Sequence, residues 1–197
     1  MASWDERYQR GEHGNAAPLS IIERAARCLP PGRALDVACG TGRHALLLAE
    51  LGWHVTAVDS SRVALEQLQT AATERGLCVE ARLADLERGE FVIAPGQYDL
   101  IVVTCYLQRD QFPALRAGVR VGGLFAGVIA VVDDDPLIMP MNPAFLLAPG
   151  ELRATFADWE LLHCAEVKEA GRRTLAELIA RRPSLAINSD RKSWMQD

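Results

Sequence analysis

Three aspartates and two glycines carry the chemistry open to this sequence. Asp36 closes a strand-like apolar run that begins at Arg33. Gly40 and Gly42 follow it, and then a helix-like run, Ala45-Leu-Leu-Leu-Ala49. Asp59 closes a second apolar run, Trp53-His-Val-Thr-Ala-Val58, 19 residues after Gly40, and Asp85 lies just past a third, Leu77-Cys-Val-Glu-Ala-Arg-Leu83. A strand, glycine turn and helix N-terminus together let an adenosine-bearing ligand approach the backbone. If the three strands are parallel neighbours, the three carboxylates line one edge of a sheet, the edge where ligands bind.

Each position has a chemical reason to be acidic. Asp59 can accept both hydroxyl protons of a ribose. Asp85, one strand over, can accept from the exocyclic amine of adenine. The glycines alone do not select a cofactor, because Gly40-Thr-Gly-Arg-His-Ala45 also fits the G-x-G-x-x-A nucleotide fingerprint. Asp36 separates the choices. A carboxylate beside the turn repels the pyrophosphate of a dinucleotide and attracts the cationic amino-acid end of S-adenosylmethionine.

These residues need a scaffold of alternating strands and helices. Trp4 and Tyr8 would share one face of a short helix, and Pro18 can start a second over 19–29 that Pro30-Pro31-Gly32 stops. Strands are expected at 33–38, 53–58, 77–83, 98–104, 119–132 and 159–167. Helices are expected at 43–51, 61–75, around 109–117 and at 150–157, with only a weak helical signal in 86–97. The unbroken apolar run of 98–104 suits a strand buried on both faces. Intrinsic propensity over Thr174-Leu-Ala-Glu-Leu-Ile-Ala-Arg-Arg182 favours helix. The pattern is α/β, a Rossmann-like doubly wound sheet that is mostly parallel. Residues 133–149 break it: three consecutive aspartates and four prolines share the stretch with seven large apolar residues, as in a pocket wall or lid.

Composition narrows the function. The chain has 197 residues, 49% hydrophobic and 24% charged, enough for one domain with a full core. A net charge of -5 leaves no electrostatic footprint for nucleic acid or an anionic membrane. The first eight residues are charged without an apolar signal core, and the run 122–132 is too short to span a bilayer. Five scattered cysteines without a C-x-x-C pair point to reduced thiols and the cytoplasm, and the four histidines lack metal-ligand spacing.

The segment Leu35-Asp-Val-Ala-Cys-Gly-Thr-Gly42 resembles motif I of class I S-adenosylmethionine-dependent methyltransferases. Asp59 matches the ribose-binding acid of that family, Ala84-Asp85-Leu86 its adenine-binding segment, Tyr98–Val103 its fourth strand, and Arg120-Val-Gly-Gly-Leu-Phe125 the glycine turn into its fifth. The Trp4…Tyr8 opening, Asn142-Pro-Ala-Phe-Leu-Leu, Pro149-Gly-Glu-Leu152 and the ending Arg173…Pro183 resemble small bacterial methyltransferases of the tellurite-resistance and thiopurine type. The resemblance implies a seven-stranded sheet with an antiparallel last strand at 174–182, against its helical propensity. It also implies one methyltransferase domain over 1–183, with residues 1–30 as an N-terminal helical flap, 133–149 as an acceptor-side loop and 184–197 as a tail. In motif I, Ala38 stands where glycine is common, and alanine is small enough that no loss of cofactor binding is expected.

The resulting expectation is methyl transfer from S-adenosylmethionine to a small-molecule acceptor. The cofactor set is Tyr8, Asp36, Ala38, Cys39, Gly40, Thr41, Gly42, Arg43, Asp59, Ser60, Ala84, Asp85, Leu86 and Thr104. Tyr106 and Arg173 are the candidates beside the reacting atoms, with Arg109 nearby after the fourth strand. No metal, nucleic acid or membrane is expected, and the oligomeric state stays open. The N-P-A-F sequence at 142–145 echoes a motif of DNA adenine methyltransferases, but it follows the fifth strand instead of the fourth. Two rivals remain: a sensor that binds S-adenosylmethionine without turnover, and an NAD-dependent oxidoreductase, which Asp36 and the lack of a catalytic dyad disfavour. His44, in the first turn of a helix, is expected to be neutral, and the aspartates at 133–135 to be a solvated loop.

Overall fold

The computed structural model describes residues 3–12, 16–136 and 138–184; the expected tail lies almost wholly outside them. The elements in chain order are α1 (Trp4–Gln9), α2 (Ser20–Ala26), β1 (Arg33–Val37), α3 (Arg43–Glu50), β2 (His54–Asp59), α4 (Arg62–Glu74), β3 (Val79–Leu83), β4 (Tyr98–Thr104), α5 (Phe112–Gly118), β5 (Val119–Ala130), α6 (Glu151–Thr155), β6 (Glu160–Val167) and β7 (Leu175–Arg181). The strands form one seven-stranded sheet in the order β3-β2-β1-β4-β5-β7-β6. Pairing from β3 through to β5 is parallel, and β7 runs antiparallel to both β5 and β6. The strand order reverses between β1 and β4, the crevice where open α/β sheets bind ligands.

Alternation along the central strands buries both faces. Leu35, Ile101, Val103 and Phe125 face one apolar cluster, completed by Leu115 of α5 and by Leu152 and Phe156 of the α6 region. Ala34, Leu100, Val102 and Leu124 face the other, completed by α2, α3 and α4 through Ile22, Leu48 and Leu68. With a period of two, adjacent residues on a strand feed opposite layers, so these strands read as continuous apolar runs.

The structure refines several boundaries for local reasons. The helix expected around 109–117 opens as a 3-10 turn at Arg109–Gln111, and α5 begins at Phe112 with Pro113 in its first turn, where a missing N–H costs nothing. In 86–97 only Leu86–Arg88 is helical, a 3-10 turn capped by Asp85 and ended by Gly89 at φ +69°. The N-terminal segment is two different things. In α2, Ile21, Ile22, Ala25 and Ala26 are buried against the sheet, so it is a core helix. Only α1 lies over the glycine turn, against α4. Six residues suffice for α1 because Ser3 and Glu6 form a reciprocal capping box, Glu6 N–H donating to Ser3 Oγ at 3.2 Å and Ser3 N–H to Glu6 Oε2 at 2.9 Å.

Candidate functional site

After β1 the chain enters the left-handed region three times, at Ala38 (φ +52°), Gly40 (φ +55°) and Gly42 (φ +78°). At Ala38 this adds a conformational cost that the size argument did not consider. The constraint there is the backbone angle, and alanine carries a cost of about 1–2 kcal/mol that glycine would not. Gly42 is closed to a side chain because a Cβ would collide with Leu68 of α4. A Cβ on Gly40 would lie 2.6 Å from the Tyr8 hydroxyl, so the phenol of α1 stands over the turn. The turn is fixed by Cys39 N–H donating to the Val58 carbonyl (3.0 Å) and Gly42 N–H to the Cys39 carbonyl (3.0 Å). Thr41 is half-buried, and Arg43 turns toward the N-terminal segment, donating to the Ala17 carbonyl at 3.3 Å.

The carboxylates differ sharply in their surroundings. Asp36 is 1% exposed, and neither carboxylate oxygen has a partner at full hydrogen-bond geometry, although the Ala45 amide of α3 lies close enough to favour its charge. Burial pushes its pKa from 3.8 to about 7; the Ala45 amide and Arg43 offset part of that, while Asp59 adds to it. A buried carboxylate so weakly partnered is costly unless something cationic meets it. Asp59 is also buried, but its Oδ2 accepts from Gly40 N–H at 2.7 Å and its Oδ1 from Ser61 N–H at 2.8 Å. These bonds lower its pKa against the larger effect of burial, which raises it. Each oxygen keeps a further lone pair. Asp85 Oδ1 accepts from Glu87 N–H at 2.9 Å, between buried Ala84 and Leu86, and Ser60 is exposed beside Asp59.

Next to the turn, β4 ends at Thr104. His44 is 1% exposed and bridges this end to the N-terminal segment. Leu19 N–H donates to its Nε2 at 3.2 Å, which puts the proton on Nδ1, 3.3 Å from Thr104 Oγ1. Burial drives its pKa down to about 3, with Arg43 adding to the effect, so the ring is neutral as expected. The following residue, Cys105, is exposed with φ +56°. Tyr106 donates to Gln108 Oε1 at 2.5 Å, and Gln108 Nε2 donates to the Leu86 carbonyl at 3.4 Å, which ties this segment to the one after β3. Burial raises the pKa of both Tyr106 and Tyr8 well above the usual phenol range.

The 133–149 loop leaves β5 on this same edge, and so does the start of β7, since Ala130 pairs with Leu175. The aspartates are not all solvated. Asp133 Oδ2 accepts from Lys168 Nζ (2.6 Å), Thr174 N–H (2.9 Å) and Thr174 Oγ1 (2.7 Å), which holds its carboxyl well below the usual range, Lys168 contributing most. Arg173 lies on this rim, but its Nη2 donates to the Met139 carbonyl at 2.5 Å. Among the described residues no group of three or more His, Cys, Asp or Glu is placed to hold a metal, and no helix is long and apolar enough to cross a membrane.

Thus β1 to β4 bring Asp36, Ala38 to Arg43, Asp59, Ser60, Ala84 to Leu86 and Thr104 to one edge, with Tyr8 over it and Tyr106 beside it. Arg173 is on the β7 side of that edge, engaged with the loop. Sequence reading passed over Asp5, whose carboxylate accepts from Ser61 Oγ (2.5 Å) and Val63 N–H (3.3 Å) and thereby docks α1 on the N-terminus of α4. Its only signal was its place between Trp4 and Tyr8. Asp99, also unremarked, sits at the opposite edge, accepts from Arg33 N–H at 2.7 Å and pairs with Arg120. It is a structural acid.

The family profile described as Tellurite resistance protein TehB matches residues 3–177. Hemagglutinin 1 of Eikenella corrodens is 32% identical over 168 residues, 81% of this chain and 54% of that protein. A probable S-adenosyl-L-methionine-dependent methyltransferase TehB of Haemophilus influenzae is 27% identical over 168 residues, 82% of this chain and 57% of that one. The chain therefore spans little more than half the length of these curated relatives. The crystal structure of TehB from Haemophilus influenzae superposes with a TM-score of 0.73 at 27% identity, covering 90% of this chain and 67% of that one. With a profile match over most of its length and the same fold, the chain belongs to the tellurite resistance protein TehB family.

Proposed function

We propose that this chain transfers a methyl group from S-adenosylmethionine to a small-molecule acceptor by in-line displacement. The observation that carries the reading is Asp36: a fully buried carboxylate, without a partner at full hydrogen-bond geometry, beside a left-handed turn. Such a group fits the cationic amino-acid end of this cofactor and opposes a pyrophosphate. In this reading Asp59 holds the ribose through its remaining lone pairs, Asp85 the adenine amine, and Ala84 and Leu86 flank the base. Tyr8 covers the turn, and Cys39, Gly40, Thr41 and Gly42 supply a backbone that can be closely approached. The family membership supports the same assignment.

Bound there, the sulfonium supplies a methyl that is already electrophilic. What remains for the protein is alignment and exclusion of water. Three groups near the edge are poorly suited as bases, His44 by its bonding and the two tyrosines by burial. Both ring nitrogens of His44 are engaged, and Tyr8 and Tyr106 stay protonated. That favours an acceptor that arrives ionised or intrinsically soft, such as a thiolate or a chalcogen oxyanion, over a hydroxyl that needs deprotonation. Arg173 would then hold the loop and contribute positive charge on the acceptor side. The net charge of -5 fits an enzyme that acts on small molecules rather than nucleic acid, and five scattered cysteines without a C-x-x-C pair fit reduced thiols and the cytoplasm.

Thermal-shift measurements with S-adenosylmethionine, its demethylated product and NAD test the binding claim. Stabilisation of about 2.7 kcal/mol at a hundredfold excess over Kd is expected for the first two. Stabilisation by NAD alone would overturn the reading. Transfer of labelled methyl to a panel of thiol, chalcogen-oxyanion, hydroxyl and amine acceptors tests turnover; binding without incorporation would favour the sensor.

A further inference from the structure

The acceptor-side loop ends in a 3-10 turn, Pro143–Phe145, capped by Asn142. Within it, Phe145 N–H donates to the Asn142 carbonyl and Leu146 N–H to the Pro143 carbonyl. The Ala144 and Leu146 carbonyls are taken by a side chain from another segment. Arg109, just after β4, donates through Nη1 to Ala144 O (3.4 Å) and through Nη2 to Leu146 O (2.9 Å). The same guanidinium forms a fork with Glu151 at the start of α6, Nε to Oε1 at 2.6 Å and Nη2 to Oε2 at 2.8 Å. Glu151 Oε2 also accepts from Ala148 N–H at 2.8 Å. One planar fork therefore fixes both flanks of 144–151, while Phe145, between the two clamped carbonyls, stays 49% exposed.

β4 and β5 are parallel, so the segments that follow them leave the sheet on one edge. Arg109 is three residues past Tyr106, and the loop it grips is the other wall of that edge. We propose that Arg109 is a positioning residue for the acceptor: it clamps the 144–151 segment against the chain after β4 and so sets the shape of the acceptor side. The inference rests on the methyl-transfer reading above and adds to it the side chain that joins the two acceptor-side segments. A planar fork reaching two carbonyls and a carboxylate is not replaced by a point charge, so lysine should recover only part of the effect. Since the pair is partly exposed, its contribution to global stability is small.

The test compares Arg109→Ala, Arg109→Lys and Glu151→Gln with wild type. Three readouts are needed: steady-state kinetics on the best acceptor of the panel, amide hydrogen exchange over 138–151, and calorimetric affinity for the demethylated cofactor product. Arg109→Ala should raise the acceptor KM by about tenfold or more, with a smaller change in kcat. Affinity for the demethylated cofactor product, measured by calorimetry, should stay within about twofold, since no cofactor contact is removed. Exchange over 144–151 should rise, and Arg109→Lys and Glu151→Gln should fall between. Unchanged exchange and an unchanged acceptor KM in Arg109→Ala would overturn the proposal, as would an equal loss of cofactor affinity. If wild type neither binds the cofactor nor turns over, the methyl-transfer reading fails, and exchange alone decides whether the clamp exists.

Discussion

The two halves of the proposed ligand-binding edge are built by different means. On the β1–β3 half, position is set by backbone: left-handed angles at Ala38, Gly40 and Gly42, and buried N–H donors on Asp59. On the β4–β7 half, position is set by long side chains that reach across gaps: Arg109 to the Ala144 and Leu146 carbonyls, Arg173 to the Met139 carbonyl, Lys168 to Asp133. A backbone-built site is rigid and tolerates little substitution, as would suit the invariant cofactor proposed for it. A side-chain-built wall can be reshaped by changing one arginine or one loop residue. The first kind leaves a compact signature in sequence; the second leaves scattered residues whose partners are tens of positions away.

Substitutions on the cofactor half should break that comparison if it is wrong. The largest effect is expected for Asp59→Ala, which removes the proposed ribose acceptor and strands two backbone donors, Gly40 N–H and Ser61 N–H. Each buried donor left unsatisfied costs about 1–3 kcal/mol, so both the melting temperature and the cofactor affinity should fall, the latter well over tenfold. Calorimetry that finds unchanged affinity would refute the ribose role.

Asp36→Asn sharpens the contrast between binding and stability. Because the folded pKa is raised from 3.8 to about 7, the folded protein holds a proton that the unfolded chain releases near pH 4. The stabilisation is complete below the unfolded value and is lost as pH rises through about 7. The cofactor-free variant should therefore match wild type only below about pH 4, and it should be the more stable of the two at pH 8, by on the order of 4 kcal/mol. Its cofactor affinity should be low and flat with pH. Wild-type affinity should climb as Asp36 ionises and level off above about pH 7. A flat wild-type profile by calorimetry would remove Asp36 from the cofactor site.

The smallest effect is Ala38→Gly. Relief of the left-handed angle, less the added freedom of the unfolded chain, should stabilise by about 1 kcal/mol. That is roughly 2–4 °C in melting temperature, with cofactor affinity unchanged. A lower melting temperature would show that the alanine methyl contributes more in packing than the angle costs.

Legibility in the sequence followed this division. β1, β2 and β4 were readable from local runs, because strands buried on both faces must be largely apolar; β3, an exposed edge strand, was readable from its place between a helix stop and Asp85. The acids at their ends were readable because parallel strands place successive C-termini side by side. β7 was not readable locally. Its Leu-Ala-Glu-Leu-Ile-Ala-Arg run favours helix, and only the place between β5 and β6, with Leu178, Ile179 and Ala180 buried, makes it a strand. The family resemblance supplied what propensity could not. Ala38 was judged by volume, which leaves its backbone angle out. Asp133 was read as solvated because its partners, Lys168 and Thr174, are more than thirty residues away. Asp5, His44 and Arg109 act by bridging elements, and no spacing rule marks a bridge.

The sequence by itself determined the doubly wound pattern, the glycine turn and the set of three acids, since each depends on near neighbours along the chain or on the fixed geometry of parallel strands. The tertiary structure decided how those acids differ. Asp59 is satisfied by two amides from the turn and from α4's approach, whereas Asp36, one strand away, is sealed under the turn with no partner at full hydrogen-bond geometry. Burial and hydrogen bonding are properties of the packed whole, so three carboxylates that look alike in sequence become a tether, a cap and a waiting charge only once the sheet has closed around them.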